Sequence, residues 1–253
     1  MHNSYLIDVY SSEWYFVNIV SAISVIALLG VFYFILNSKY IKENELEQKI
    51  TKTIGFFLLF RLLMYHSYAS YTGVWDINHS LPFHLCGISS VLCVVVMLRY
   101  NQLIYEFLIL LGAPGALWAF LTPEIHISEP WYMYFDYFVS HAAIIFIPLY
   151  LTICLNKRPR PLSYFKIFIL MNVFVMPLVA IINIMIKSIY NSEIVNYMYL
   201  MRPTQAENPF VIGGWMYMVV MELTAFIHMF IIYSLFVIFY IFRNKINIKG
   251  RLV

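Results

Sequence analysis

Charge is what this chain has least of. Asp, Glu, Lys and Arg together make up 11% of its 253 residues, against about a quarter in an ordinary soluble domain. With 62% of the residues apolar, too little polar surface remains to cover a water-soluble globule. Cysteine is sparse as well. Cys86, Cys93 and Cys154 all lie inside apolar stretches, which gives neither a disulfide framework nor a Cys/His zinc spacing. There is no glycine-rich phosphate loop, no low-complexity tract and no internal repeat. The net charge of +3 is spread between apolar runs rather than gathered in one patch, so no nucleic-acid partner is expected. The first apolar run lacks a basic leader segment and a small-residue cleavage pattern, and no cleavable signal peptide is expected.

What the chain has in abundance is apolar runs of membrane-spanning length. A bilayer core takes about 20 mostly apolar residues per helix, and such runs fall at 14–36, 53–71, 81–98, 103–121, 133–155, 163–187 and 213–242. The fold class is therefore all-α, a single seven-helix transmembrane bundle. Orientation follows from the basic residues between spans. Lys39, Lys42, Lys49, Lys52, Arg99, Lys157, Arg158, Arg160, Arg243, Lys245, Lys249 and Arg251 fall on one side, and only Arg202 on the other. That places the N-terminus outside and the C-terminus in the cytoplasm. Trp14, Tyr15, Trp75, Trp131, Tyr132 and Trp215 mark the interfacial aromatic belt, mostly on the outer side. Gly112-Ala113-Pro114-Gly115 and Pro177 read as kinks with close helix packing.

Ionisable groups inside spans are costly and usually face a bundle interior or wet cavity. Here they are Arg61, His66, His84, Glu106, Asp136, His141, Glu222 and His228. Most lie in the outer half, on separate helices, which points to one polar site opening outward. Arg61 needs a partner that the sequence does not name, and Glu106 suits a loop cation. His79 and His126 read as solvated loop residues. Leu81-Pro82 reads as a helix start, placing Cys86 in the first turns, where the positive end of the helix dipole favours a thiolate. His84, two residues away, points elsewhere on such a helix. His141 lies at similar depth on another helix and supplies a Cys/His acyl-transfer pair.

Three blocks resemble a known family. They are Leu81-Pro82-Phe83-His84-Leu85-Cys86; Tyr105-Glu106-Phe107 through Gly112-Ala113-Pro114-Gly115 and Pro123 to Phe138-Val139-Ser140-His141; and Asn196-Tyr197-Met198-Tyr199-Leu200 with Pro203 and Gly214-Trp215. The chain resembles the YwaF-type bacterial membrane proteins, relatives of the animal transmembrane protein 164. That resemblance implies a phospholipid acyltransferase working through a cysteine and a histidine. The family histidine corresponds to His141. The family cysteine stands in a Pro-Cys-His pattern, so its place is Phe83 here and its neighbour is His84. Cys86, three residues on, is the candidate replacement; on a helix the two would share a face.

The expected function is a CoA-independent lipid acyltransferase of the bacterial plasma membrane, with Cys86 as nucleophile, His141 as base and His84 as a positioning or oxyanion-stabilising group. His66, Asn196, Tyr197 and Glu222 are the candidate substrate contacts. Membrane lipids are the expected partners, and neither metal nor soluble cofactor is required. A transporter or lipid-binding protein, or a lipid-ester hydrolase, would draw on the same residues.

Overall fold

A computed structural model describes residues 7–125, 130–204 and 216–249, with side chains as far as Phe239. His126, Gly214, Trp215 and Arg251, singled out above, lie outside the described residues. Among the described residues the secondary structure is helical, with no strand. The long helices are α1 (Ser12–Asn37), α2 (Glu47–Tyr71), α3 (Leu85–Leu98), α4 (Gln102–Leu121), α5 (Trp131–Ile153), α6 (Ser163–Tyr190) and α7 (Met216–Lys249). Each coincides with one of the expected runs.

Five of them, α1, α4, α5, α6 and α7, are long and apolar enough to cross a membrane. The other two differ for physical reasons. α2 starts at Glu47, earlier than the apolar run at Thr53, and so takes in Glu47, Lys49 and Lys52 besides Arg61. α3 has 14 residues, about 21 Å at 1.5 Å per residue, against a hydrocarbon core of about 30 Å. Its start corrects the sequence reading. Leu81–Phe83 form a turn, His84 is the N-cap and the helix begins at Leu85. Pro82 is therefore not a first helical residue, and Phe83 and Cys86 do not share a helix face.

Gly87 permits this turn. A Cβ there would sit 2.8 Å from the Pro82 Cα, a backbone atom that cannot swing aside. Gly87→Ala is expected to destabilise the fold by about 1–3 kcal/mol through overpacking. The unfolding midpoint of the purified variant in detergent checks this, and an unchanged midpoint would refute the close approach.

The two proline segments are wide turns rather than simple kinks. A π-helical turn at Leu108–Gly112 precedes Pro114, and another at Met171–Val175 precedes Pro177. Proline has no N–H to donate to the carbonyl four residues back, and one extra residue in the preceding turn absorbs the mismatch. Close packing is present too: a Cβ on Gly115 would lie 2.8 Å from the Leu85 side chain, and one on Gly112 3.0 Å from Ser89 Oγ.

α4 and α5 are the most enclosed of the spanning helices. They pack on each other and on α3, while α2 lies against α3 and α1 against α5. α7 packs on the first turns of α6 and on the π turn of α4. α1, α6 and α7 present large apolar side chains outward, among them Phe16, Ile26, Phe34, Phe174 and Leu178. An outward apolar face and an inward polar one invert the pattern of a soluble helix and suit a lipid solvent.

One end of the bundle is tied by polar bonds. Glu106, fully buried on α4, accepts from the Arg160 backbone N–H (2.7 Å), Arg160 Nε (2.9 Å) and Nη2 (2.8 Å), and Gln102 Nε2 (2.9 Å). The loop cation expected for Glu106 is thus Arg160. Nearby, the Tyr105 hydroxyl meets Thr152 Oγ1 at 2.7 Å and donates to the Lys157 carbonyl at 3.1 Å.

Candidate active site

At the opposite end from Glu106 the helices enclose a cavity of about 830 Å³. His66, His84, Cys86, His141, Asn196 and Glu222, all singled out from sequence, contribute to its wall. So do Arg61, His79, Asp136 and His228. The convergence of polar groups from separate helices on one site is therefore present in the fold.

Cys86 is a free, half-buried thiol at the second residue of α3. His84 reaches the same wall because, as the N-cap, it stands outside the helix. The helical spacing argument that would send its side chain elsewhere does not apply. Its ring packs between those of Tyr197 and Tyr199, with centroids 5.1 and 5.3 Å away. Its Nδ1 accepts the Met198 N–H at 3.4 Å, which leaves Nε2 as the protonated nitrogen of a neutral ring.

His141 is buried on α5, with Nδ1 2.6 Å from the Tyr137 carbonyl. A carbonyl only accepts, so Nδ1 carries the hydrogen and Nε2 keeps its lone pair. The backbone bond fixes the tautomer that a general base needs, much as a carboxylate does elsewhere. The Tyr137 ring stacks 4.3 Å from the imidazole.

Phe83, at the place of the family cysteine, is turned into an apolar cluster with Val179, Ile186, Val195 and Tyr197. Its ring meets Tyr197 edge-on at 5.5 Å, and it is not part of the cavity wall.

The partner of Arg61 is Asp136. Arg61 Nη1 lies 2.6 Å from Asp136 Oδ2, and Nη2 donates to Ser90 Oγ at 2.7 Å. This buried pair joins α2, α3 and α5. Ser90 stands one turn below Cys86 and Asp136 five residues before His141, so Arg61 braces the helices that carry the thiol and the imidazole. His66, above it on α2, accepts from Trp75 Nε1 at 3.4 Å.

The segment after α6 covers the cavity end of the bundle. Asn196, which also contributes to the cavity wall, and Tyr197 build it. The Asn196 amide accepts from the Met201 and Arg202 N–H groups and donates to the Arg202 carbonyl. Tyr197 is fully buried and is not part of the cavity wall. Its hydroxyl donates to the Ile77 carbonyl (2.7 Å) and accepts from Leu81 N–H (3.0 Å), so it holds the 77–81 turn in place. Tyr199 does reach the wall, in a left-handed backbone conformation at φ 56°. Its hydroxyl donates to the Glu124 carboxylate, and burial together with that carboxylate pushes it well above the usual phenol range. It stays a neutral donor.

Sequence reasoning passed over Asn172, Ser90, Glu124 and Tyr199. Asn172, a lone amide within Ile169-Leu170-Met171-Asn172-Val173, carried the one usable signal: a polar group in an apolar run needs a partner. Among the described residues no group of three or more His, Cys, Asp or Glu is disposed to hold a metal.

Apolar helices around a polar cavity define a multi-pass membrane protein. The chain belongs to the TMEM164 family, whose family model matches residues 9–243. No curated protein and no solved structure matches it.

Proposed function

We propose that this is a membrane-embedded acyltransferase that moves acyl chains between phospholipids and lysophospholipids without CoA. The observation that carries the reading is one cavity whose wall holds a free thiol, a tautomer-fixed imidazole and a second imidazole, and continues into the apolar side chains of Leu111, Met171, Met176 and Met229. Cys86 is the nucleophile in this scheme. Its proton passes to His141 Nε2 as Sγ attacks the ester carbonyl of a donor lipid, with His84 Nε2–H facing the developing oxyanion. Collapse of the tetrahedral adduct breaks the ester C–O bond. The lysolipid oxygen leaves with the proton held on His141, and a thioester remains on Cys86. An acceptor lysolipid hydroxyl then gives its proton to His141 and attacks the thioester, restoring the thiol. Met side chains adapt to chains of varied shape.

The test is transfer in vesicles containing the purified protein, a phospholipid with a labelled acyl chain and an unlabelled lysophospholipid. Labelled acceptor should form without CoA. Labelled free fatty acid instead would identify a hydrolase, and no reaction would overturn the enzymatic reading.

The scheme includes seven spans in a bacterial plasma membrane, with the cavity toward the outside. Neutralisation of Arg61 by Asp136 supports α2 as a span, and the 81–84 turn lengthens the path of α3. His79→Cys, at the mouth of the cavity, should react with a membrane-impermeant maleimide on intact cells. Labelling only after permeabilisation would invert the orientation and move the site to the other leaflet.

A further inference from the structure

Two of the acidic side chains buried among the helices are neutralised. Asp136 pairs with Arg61, and Glu106 with Arg160. Glu222 is not. It lines the cavity from α7, and its contact among the described residues is a neutral amide: Asn172 Nδ2 donates to Oε2 at 3.0 Å. No Lys, Arg or protonated His among the described residues lies within ion-pair distance. Asn172 therefore aims the carboxylate without satisfying its charge, and Oε1 is left for an occupant of the cavity. A carboxylate at this depth in a bilayer is costly unless a cation meets it.

The surroundings select among cations. Trp118 and Phe168 share the cavity wall, and Tyr199 and Tyr217 line an adjoining recess that also reaches Glu222. Aromatic rings in the same wall as a carboxylate suit an ammonium group. They offer too few oxygens for a hard metal ion. His228 does not compete for the carboxylate, since its Nδ1–H is spent on the Thr224 carbonyl at 2.6 Å.

We propose that Glu222, aimed by Asn172, is the anchor for the ammonium of an amine-bearing phospholipid headgroup. The inference rests on the lipid-directed reading above and deepens it: the cavity selects zwitterionic aminolipids over anionic ones of the same chain length. The Met-lined apolar wall argues for a lipid rather than a free amine, because a soluble amine would leave that surface uncovered.

Binding is read without turnover. The full-length protein in detergent is incubated with equimolar dioleoyl phosphatidylethanolamine and dioleoyl phosphatidylglycerol, and retained lipid is counted by mass spectrometry. Wild type should retain the aminolipid about tenfold over the anionic lipid, one charge-assisted contact in free-energy terms. Glu222→Gln should bring the two within about twofold, while Glu222→Asp keeps the preference. N-acetylated phosphatidylethanolamine, offered to wild type, should lose it, so the outcome stands even if Glu222→Gln misfolds. Equal retention by wild type, or an undiminished preference in folded Glu222→Gln, would overturn the ammonium site while leaving acyl transfer untouched. Displacement of the lipid by equimolar phosphoethanolamine would make a free amine the ligand and overturn the lipid assignment. Retention of neither lipid would overturn the lipid-directed reading with it.

Discussion

Cys86→Ala and His141→Ala should each lower acyl transfer by at least about a thousandfold, and the double variant should be no slower than either single one. Nucleophile and base act as one unit, so removing the second after the first costs nothing further. Wild type should also accumulate a hydroxylamine-sensitive acyl label that Cys86→Ala lacks. Cys93→Ala is the matched control. Cys93 lies two turns deeper on the same helix, 1% exposed and outside the cavity wall, and its loss removes one sulfur from the core without touching the reaction. His84→Ala should fall between, because its Nε2–H only stabilises charge that Cys86 and His141 create. Should Cys86→Ala retain wild-type rates while His84→Ala and His141→Ala are inactive, no thioester forms. The imidazoles would then activate a lysolipid hydroxyl or water directly.

The second large effect is on stability. Arg61→Ala and Asp136→Ala should each destabilise the fold by about 3–5 kcal/mol, because each strands the opposite charge inside the bundle. The paired replacement Arg61→Met with Asp136→Leu should recover most of that loss, since two apolar side chains need no counter-charge. Unfolding midpoints in mild detergent give both numbers. Singles within about 1 kcal/mol of wild type would show that water, not Asp136, satisfies the guanidinium. The recovered double variant is informative in its own right: stable but slow in acyl transfer, it would assign the pair to alignment of Cys86 with His141 rather than to holding the chain together.

How far the sequence reaches is visible in particular residues. All seven long helices were legible as helices, and five of them are long and apolar enough to cross a membrane, because length and apolarity are local properties of the chain. The start of α3 was not. Leu81-Pro82 has the composition of a helix opening, but what decides the matter is the contact of Pro82 with Gly87 and of Tyr197 with both Ile77 and Leu81, and the Tyr197 contacts span more than a hundred residues. The same shortfall governs the charges. Arg61 announced its need for a partner, but Asp136 lies 75 residues away. Glu106 and Arg160 pair across 54 residues of chain. Polar residues in apolar runs state a debt locally and settle it over long distances in the chain. Tyr197 is the converse: prominent in a family block, yet used for holding the 77–81 turn rather than for facing the cavity.

The knot of bonds on Glu106 has a mechanical meaning. Four donors converge on this carboxylate, and Tyr105, Thr152 and Lys157 add a second tie beside it. At the cavity end, Arg61 ties α2, α3 and α5, Tyr197 holds the 77–81 turn, and Asn172 on α6 meets Glu222 on α7. Both ends of the bundle are thus fastened by polar bonds between separate segments of the chain, which oppose rocking about its middle. Rocking is what carries a solute from one face of a membrane to the other, since it requires each end to open in turn. Such fastening favours the proposed exchange of chains at one mouth over passage between two compartments.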